Sequence, residues 1–247
     1  MTKNANFIVD RYDNLPSTNE KMKSLISGGL PEFAVIIANH QSAGKGQKGN
    51  TWESESGKNL TFSLLFRPDF ILAQDQFIIS KIVCLGILDV LSMYSGDFSI
   101  KWPNDIYFRD LKIGGILIEN ALYTNLIGSS VVGIGLNINQ EIFYSDAPNP
   151  VSLKNITNKE FNLENMLDDI LNAIYALYSE AKLIGYDNIN TRYLDRLFRK
   201  DGIHPFRDGQ GNFEARIDGI SEYGQLILSK ENGQKMTYSF KEVEFLI

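Results

Sequence analysis

Apolar positions recur along the chain with two different periods. Behind Ser17 and Glu20, which have capping-box spacing, Thr18 to Ser27 reads as a helix that Gly28-Gly29 stops. Gln74 to Met93 is apolar at helical spacing through Phe77, Ile78, Ile82, Leu85, Leu88 and Val90, which predicts a core helix. Leu163 to Ile184 is amphipathic and helical, and Asn188 to Arg199 reads as a further helix. Strand patterns fall at Ile8 to Tyr12, Phe33 to Ala38, Asn59 to Phe66 and Ser99 to Trp102. Ile106 to Phe108 and Lys112 to Glu119 form a hairpin pattern across Arg109-Asp110. Asn125 to Asn139 is a β-rich run broken by Gly128, Gly133 and Gly135. From Asp201 on, short β-prone runs alternate with turn signals at Asp208-Gly209, Asp218-Gly219, Tyr223-Gly224 and Asn232-Gly233. The pattern predicts an α+β chain with a larger module over residues 1–200 and a small antiparallel sheet or barrel over 201–247.

Composition narrows the class. The chain has 247 residues, 43% hydrophobic and 22% charged, as in ordinary soluble globular proteins. A net charge of −6 argues against a general nucleic-acid surface, so any phosphate chemistry is local. The lone cysteine, Cys84, sits in an apolar run, which fits a buried residue in a reducing cytoplasm. No run is long and apolar enough for a membrane span or a signal peptide.

Five clusters carry candidate chemistry. In Gly44-Lys45-Gly46-Gln47-Lys48-Gly49-Asn50-Thr51-Trp52, glycines bring backbone amides close to an anion, lysines add charge and Trp52 offers a flat lid. The spacing matches G-x-G-x-x-G, but no helix follows, so a dinucleotide fold is excluded. No Gly-Lys precedes Ser or Thr, so a Walker loop is excluded too. Asn104 and Asp105 end a strand at Pro103, where a carboxylate suits Mg²⁺ and an Asx-capped turn suits the sequence equally. Lys112 precedes Gly114-Gly115 in an apolar strand, which reads as an ammonium beside a close-approaching ligand or as a solvated edge lysine. Asn137 and Asn139 share one strand face. Ser17-Thr18-Asn19 heads the first helix as an N-cap or as a polar clamp.

The order of these clusters is more specific than any one of them. Ser17-Thr18-Asn19, Gln41 through Trp52, Gly57-Lys58-Asn59-Leu60, Lys101-Trp102-Pro103-Asn104-Asp105, Lys112-Ile113-Gly114-Gly115-Ile116-Leu117 and Gly135-Leu136-Asn137 together resemble the biotin protein ligases, the biotin–[acetyl-CoA-carboxylase] ligases, over about residues 7 to 140. The resemblance implies a mixed-sheet catalytic domain packed with helices, class II synthetase or lipoate-ligase-like, and a C-terminal SH3-like β-barrel. It implies that ATP and biotin, with Mg²⁺, give biotinyl-5′-AMP, and that biotin then passes to a lysine of a biotin carboxyl carrier domain. It also admits a homodimer. Lys112 would be catalytic. Ser17, Thr18, Asn19, Gln41, Lys45, Gly46, Gln47, Trp52, Lys112 and Gly115 would hold biotin. Gly44, Lys45, Gln47, Lys48, Trp52, Asn104 and Asn137 would hold the adenylate, with Asp105 toward the metal. Gly114, like Gly115, would leave room for the ligand.

Two departures stand out. The family commonly has arginines where Lys45 and Gln47 stand, and these make the bidentate phosphate contacts that Lys and Gln do not. About six residues precede the first strand, leaving no room for the DNA-binding helix-turn-helix of some relatives, so a monofunctional ligase that binds no DNA is expected. Lipoate ligases and octanoyltransferases are the nearest enzymatic alternative, and a non-catalytic biotin sensor is the alternative of another class.

Overall fold

The computed structural model describes residues 7–47, 49–144 and 149–247. A seven-stranded sheet holds β1 (Ile8–Leu15), β2 (Ala34–Gln41), β3 (Leu60–Phe66), β4 (Phe98–Lys101), β5 (Asp105–Phe108), β6 (Leu111–Tyr123) and β7 (Leu126–Leu136), in the order β1-β2-β3-β7-β6-β5-β4. Only β1 and β2 pair in parallel, and α1 (Thr18–Ile26) makes the crossover between them. The helices α2 (Phe77–Leu91), α3 (Leu153–Thr157), α4 (Leu163–Ile184) and α5 (Asp187–Asp195) follow in chain order. A five-stranded antiparallel sheet closes the chain: β8 (His204–Asp208), β9 (Gly211–Ile220), β10 (Leu226–Ser229), β11 (Lys235–Tyr238) and β12 (Val243–Phe245). The architecture is the expected α+β fold with a small C-terminal β unit.

The two faces of the large sheet have different partners. Val35, Leu64, Phe66 and Val132 point into the main core, against the buried side chains of α2 and α4. That core continues without a break into Phe206, Leu226 and Phe245 of the small sheet. The alternate residues Ala34, Ile36, Leu65 and Val131 face the other way and cluster with Met22 of α1. Toward the head of α1 the same face becomes mostly small. Ser63, Gly133 and Leu117 lie opposite one another across β3, β7 and β6, and Thr61, Gly135 and Gly115 form the next row. The head of α1, at Thr18 and Asn19, still covers Ser63 and Gly133, and from the row of Gly135 and Gly115 on the face lies clear of the helix.

Several local predictions are corrected. Asn125 to Asn139 is not broken by its glycines; β7 runs continuously through Gly128, Gly133 and Gly135, each of which takes in a neighbouring side chain. Asp218-Gly219 is not a turn but a bulge inside β9, where pairing with β10 shifts register. The helix expected to reach Arg199 stops at Asp195. There the chain turns to pair with the β4 edge: Ile100 N–H donates to the Arg196 carbonyl and Phe198 N–H to the Ile100 carbonyl, each at 2.8 Å. Helix α3 was not anticipated, because its capping box uses Asn155 in place of Glu or Gln behind Ser152.

Candidate functional site

A cavity of about 1030 Å³ opens over the small-residue part of the sheet. Its floor crosses four strands in one row of directly paired residues: Gly135, Gly115, Asp105 and Lys101. One end of the cavity is walled by the head of α1 and the glycine loop. The other end is walled by Phe240, just before β12, and by Val243 and Phe245 of β12.

At the α1 end, Ser17 is the helix N-cap, its Oγ accepting from Glu20 N–H, and both Thr18 and Asn19 are buried. Gln41 Oε1 accepts the Thr18 N–H at 2.7 Å and the Thr18 hydroxyl at 3.1 Å. With that oxygen committed, Gln41 offers a ligand its N–H₂ donors. Ser63 Oγ lies 2.8 Å from Thr18 Oγ1 and 2.6 Å from Asn19 Oδ1, a junction that the sequence reading missed. Its signal was a hydroxyl inside a buried apolar strand. Asn19 Nδ2 donates to Glu119 Oε2 at 2.8 Å, so both ends of this amide are held by the protein. Its head occupies the space a Gly133 side chain would need: a Cβ there would stand 2.4 Å from Asn19 Oδ1.

The glycine loop forms a miniature hairpin. Lys45 bridges to Thr51, Gly46 N–H donates to the Asn50 carbonyl at 2.7 Å, and Trp52 N–H donates to the Gly44 carbonyl at 3.0 Å. These two amides are therefore bonded within the loop, and it is Trp52 that lies against the sheet. A Cβ on Gly135 would stand 2.3 Å from Trp52 Cε2, so the indole rests directly on this glycine. Lys45 Nζ pairs with Glu20 Oε1 at 2.7 Å, and Glu20 also takes Lys23 at 2.9 Å. These bonds, that from Lys45 most of all, hold the Glu20 carboxyl below its usual pKa. Lys48 lies outside the described residues. The Gln47 Oε1 and Trp52 Nε1 atoms are buried against the cavity without a hydrogen-bond partner.

At the middle of the floor, Lys112 Nζ forms an ion pair with Asp105 Oδ1 at 2.7 Å, both about three-quarters buried. The pair sits over Gly115, whose missing Cβ would lie 3.3 Å from Asp105 Oδ1 and 3.4 Å from Lys112 Nζ. Gly114 serves a different end: its Cβ position is filled by Leu136 and the Gly135 carbonyl, so it leaves room for core packing and not for ligand. Asn104 is buried, bonded through Nδ2 to the Ile116 carbonyl. Asn137 Nδ2 donates to the Val151 carbonyl at 3.2 Å, and its Oδ1 is buried on the cavity wall with no partner. Asn139 is elsewhere, clamping the backbone of Phe161.

The Trp102-Pro103 bond is cis, and the turn is pinned from three sides. Ser80 Oγ donates to the Pro103 carbonyl at 2.9 Å, Tyr193 OH donates to the same oxygen at 3.1 Å, and Trp102 Nε1 donates to the Gly224 carbonyl of the small sheet at 2.8 Å. Among the described residues, no group of three or more His, Cys, Asp or Glu could by itself hold a metal ion.

The model of the biotin/lipoate A/B protein ligase family matches residues 13–137. The biotin–[acetyl-CoA-carboxylase] ligase of Paracoccus denitrificans is 29% identical over 89% of this chain and 93% of its own length. The bifunctional ligase/repressor BirA of Bacillus subtilis is 28% identical over 92% of this chain and 71% of its own. Among solved structures, the biotin protein ligase of Aquifex aeolicus in complex with biotin and ATP superposes with a TM-score of 0.78, at 24% identity, over 96% of this chain and 97% of that one. The strand order, the cavity on the helix-free part of the sheet and these likenesses agree: the chain belongs to the biotin/lipoate A/B protein ligase family and groups within it with the biotin protein ligases.

Proposed function

We propose that this enzyme activates biotin with ATP as biotinyl-5′-AMP and transfers it to a lysine of a biotin carboxyl carrier domain. The observation that carries the reading is the Lys112–Asp105 pair, seated over Gly115 in the middle of a cavity long enough for both substrates. Residues 1–200 hold the reacting groups and residues 201–247 form an SH3-like domain against them.

In this reading the ureido ring sits at the α1 end, where Ser17, Thr18 and the Gln41 N–H₂ give it hydrogen bonds. Asn19 is locked by Ser63 and Glu119 and shapes that end. The apolar stem of biotin runs along the cavity floor toward Gly115, beside the Trp52 indole that rests on Gly135. The carboxylate arrives at Lys112, whose ammonium bridges it to the α-phosphate and offsets charge as the bond forms. Asn137 Oδ1 and Asn104 face the nucleotide, and the glycine loop with Lys45, Gln47 and Lys48 closes over the adenylate. Magnesium binds through few protein oxygens plus phosphates, and the Asp105 carboxylate fits that requirement beside the reacting position. The metal would neutralise phosphate charge there.

The net charge of −6 supports an enzyme without a general nucleic-acid surface, and the reading places it in the cytoplasm without DNA binding. Biotin-dependent ATP–pyrophosphate exchange, with mass detection of biotinyl-5′-AMP, tests the reaction. Biotin binding without exchange would mean a sensor, and exchange driven by lipoate or octanoate but not biotin would move the chain to the sister activities.

A further inference from the structure

The floor row extends beyond the Lys112–Asp105 pair. Asp105 pairs with Gly115 on one side and with Lys101 on the other, so Lys101 lies two strands beyond the reacting position, roughly 10 Å across the sheet. Lys101 is the last residue of β4 and lines the cavity. Its Nζ bonds Tyr107 OH at 3.1 Å and sits 4.8 Å from the Tyr107 ring centroid and 5.5 Å from that of Phe245. No described carboxylate lies within ion-pair distance of it: Asp105 and Glu244 act on it from farther off, as do the cations Lys112 and Arg199, whereas Lys112 is paired directly with Asp105. Burial between the two rings lowers its pKa, so this ammonium is under-compensated and gains from an anion.

The position of Lys101 follows the line of the reaction. The substrate carboxylate comes from the α1 end and meets the α-phosphate over Gly115. In a phosphoryl or nucleotidyl displacement the attacking and leaving oxygens are roughly in line. The carboxylate oxygen bonds to the α-phosphorus, the bond from that phosphorus to the bridging oxygen breaks, and its electron pair leaves on pyrophosphate. The leaving group therefore develops its charge on the far side of Gly115, toward β5 and β4. We propose that Lys101 is the seat of the leaving pyrophosphate, held in place by Tyr107 and capped by Phe245 of the C-terminal sheet. This rests on the adenylation reading above and adds a residue to it.

The test uses the full-length protein with Lys101→Gln and Lys101→Arg. In biotin-dependent exchange, Lys101→Gln should raise the KM for pyrophosphate at least about tenfold, the usual cost of losing a charged hydrogen bond, while Lys101→Arg keeps much of the wild-type value. Biotin affinity and the transfer of biotin from supplied biotinyl-5′-AMP to an acceptor domain should stay at wild-type levels, which also reports that the variant is folded. An unchanged pyrophosphate KM in Lys101→Gln overturns the assignment. So does a loss confined to the transfer step, which would give the lysine to the acceptor. If wild-type protein shows no biotin-dependent exchange, the adenylation reading itself fails, a result distinct from either.

Discussion

Replacing Gly135 with alanine should loosen ligand retention while leaving the fold intact. Gly135 lies in β7 outside the left-handed region, so alanine meets no backbone penalty. Its Cβ would meet Trp52 at 2.3 Å from Cε2 and 2.7 Å from both Cζ2 and Nε1. Carbon atoms sit comfortably no closer than about 3.5 Å, so the indole must retreat by about 1.2 Å. In a rigid core such overpacking costs about 1–3 kcal/mol. Here the ring belongs to a small surface hairpin, so the cost falls on seating the loop and not on folding. If the loop closes over the ligand, the Kd of a non-hydrolysable adenylate analogue should rise about 5- to 150-fold. The control is Gly86→Ala in α2. Its Cβ would lie 2.6 Å from Ile174 Cγ1 and within about 3.0 Å of the Ile174 backbone, in helix α4, which cannot swing away. That variant should lose about 3–10 °C in Tm and keep its ligand affinity. Calorimetric titration and thermal melts of both proteins decide it. Unchanged affinity in Gly135→Ala, or a Tm loss equal to that of Gly86→Ala, would refute the reasoning.

Other outcomes follow from the same geometry. Lys112→Ala should reduce biotinyl-5′-AMP formation by at least about a hundredfold while biotin still binds by calorimetry, since the ammonium acts on charge that develops in the reaction; exchange at the wild-type rate would remove that role. Gln47→Arg should slow adenylate release in a stopped-flow chase by several-fold, because arginine grips phosphate bidentately; equal release rates would sink this. Lys81 is half-buried between Phe77 and Tyr193, donating to Asn190 Oδ1 at 2.7 Å, and partial burial lowers its pKa from 10.5 to about 8. Between about pH 8 and 10.5 the unfolded chain keeps a proton that the folded chain has released, so this residue makes stability rise with pH, and below pH 8 its full burial cost remains. Lys81→Met should therefore raise stability near pH 7 by about 1 kcal/mol, after allowing for solvent screening, and flatten that rise in denaturant titrations across the window.

What the sequence made legible was whatever depended on near neighbours. Helix α4 was read to both ends from its amphipathic pattern, and the structure shows Asn162 capping its start and Gly185 at its end. The Asn232-Gly233 hairpin was likewise read from two residues. The site motifs were legible by their order, which needs no geometry. Cross-strand relations were not. Nothing near Gly133 announces Asn19, and nothing near Gly135 announces Trp52, because each glycine is small for the sake of a residue about 80 or more positions away. The same blindness hid Ser63, and it hid the row that sets Lys101 in line with Gly115. Lys45 was read as a phosphate ligand from its glycine neighbours, but Glu20, its partner in this state, comes from a different element.

The bond from the Trp102 indole to the Gly224 carbonyl bears on how such an enzyme can change by recombination. Gly224 also stands where any side chain would strike Phe77, so this turn is fitted to α2 as closely as to the Trp-Pro step. Exchanging the C-terminal sheet for that of a distant relative would have to bring a carbonyl and a bare turn to the same spot, together with aromatic rings to replace Phe240 and Phe245. Chimeras joined near residue 200 should thus survive only between parents that share this turn, and the two sheets are expected to be inherited as a matched set.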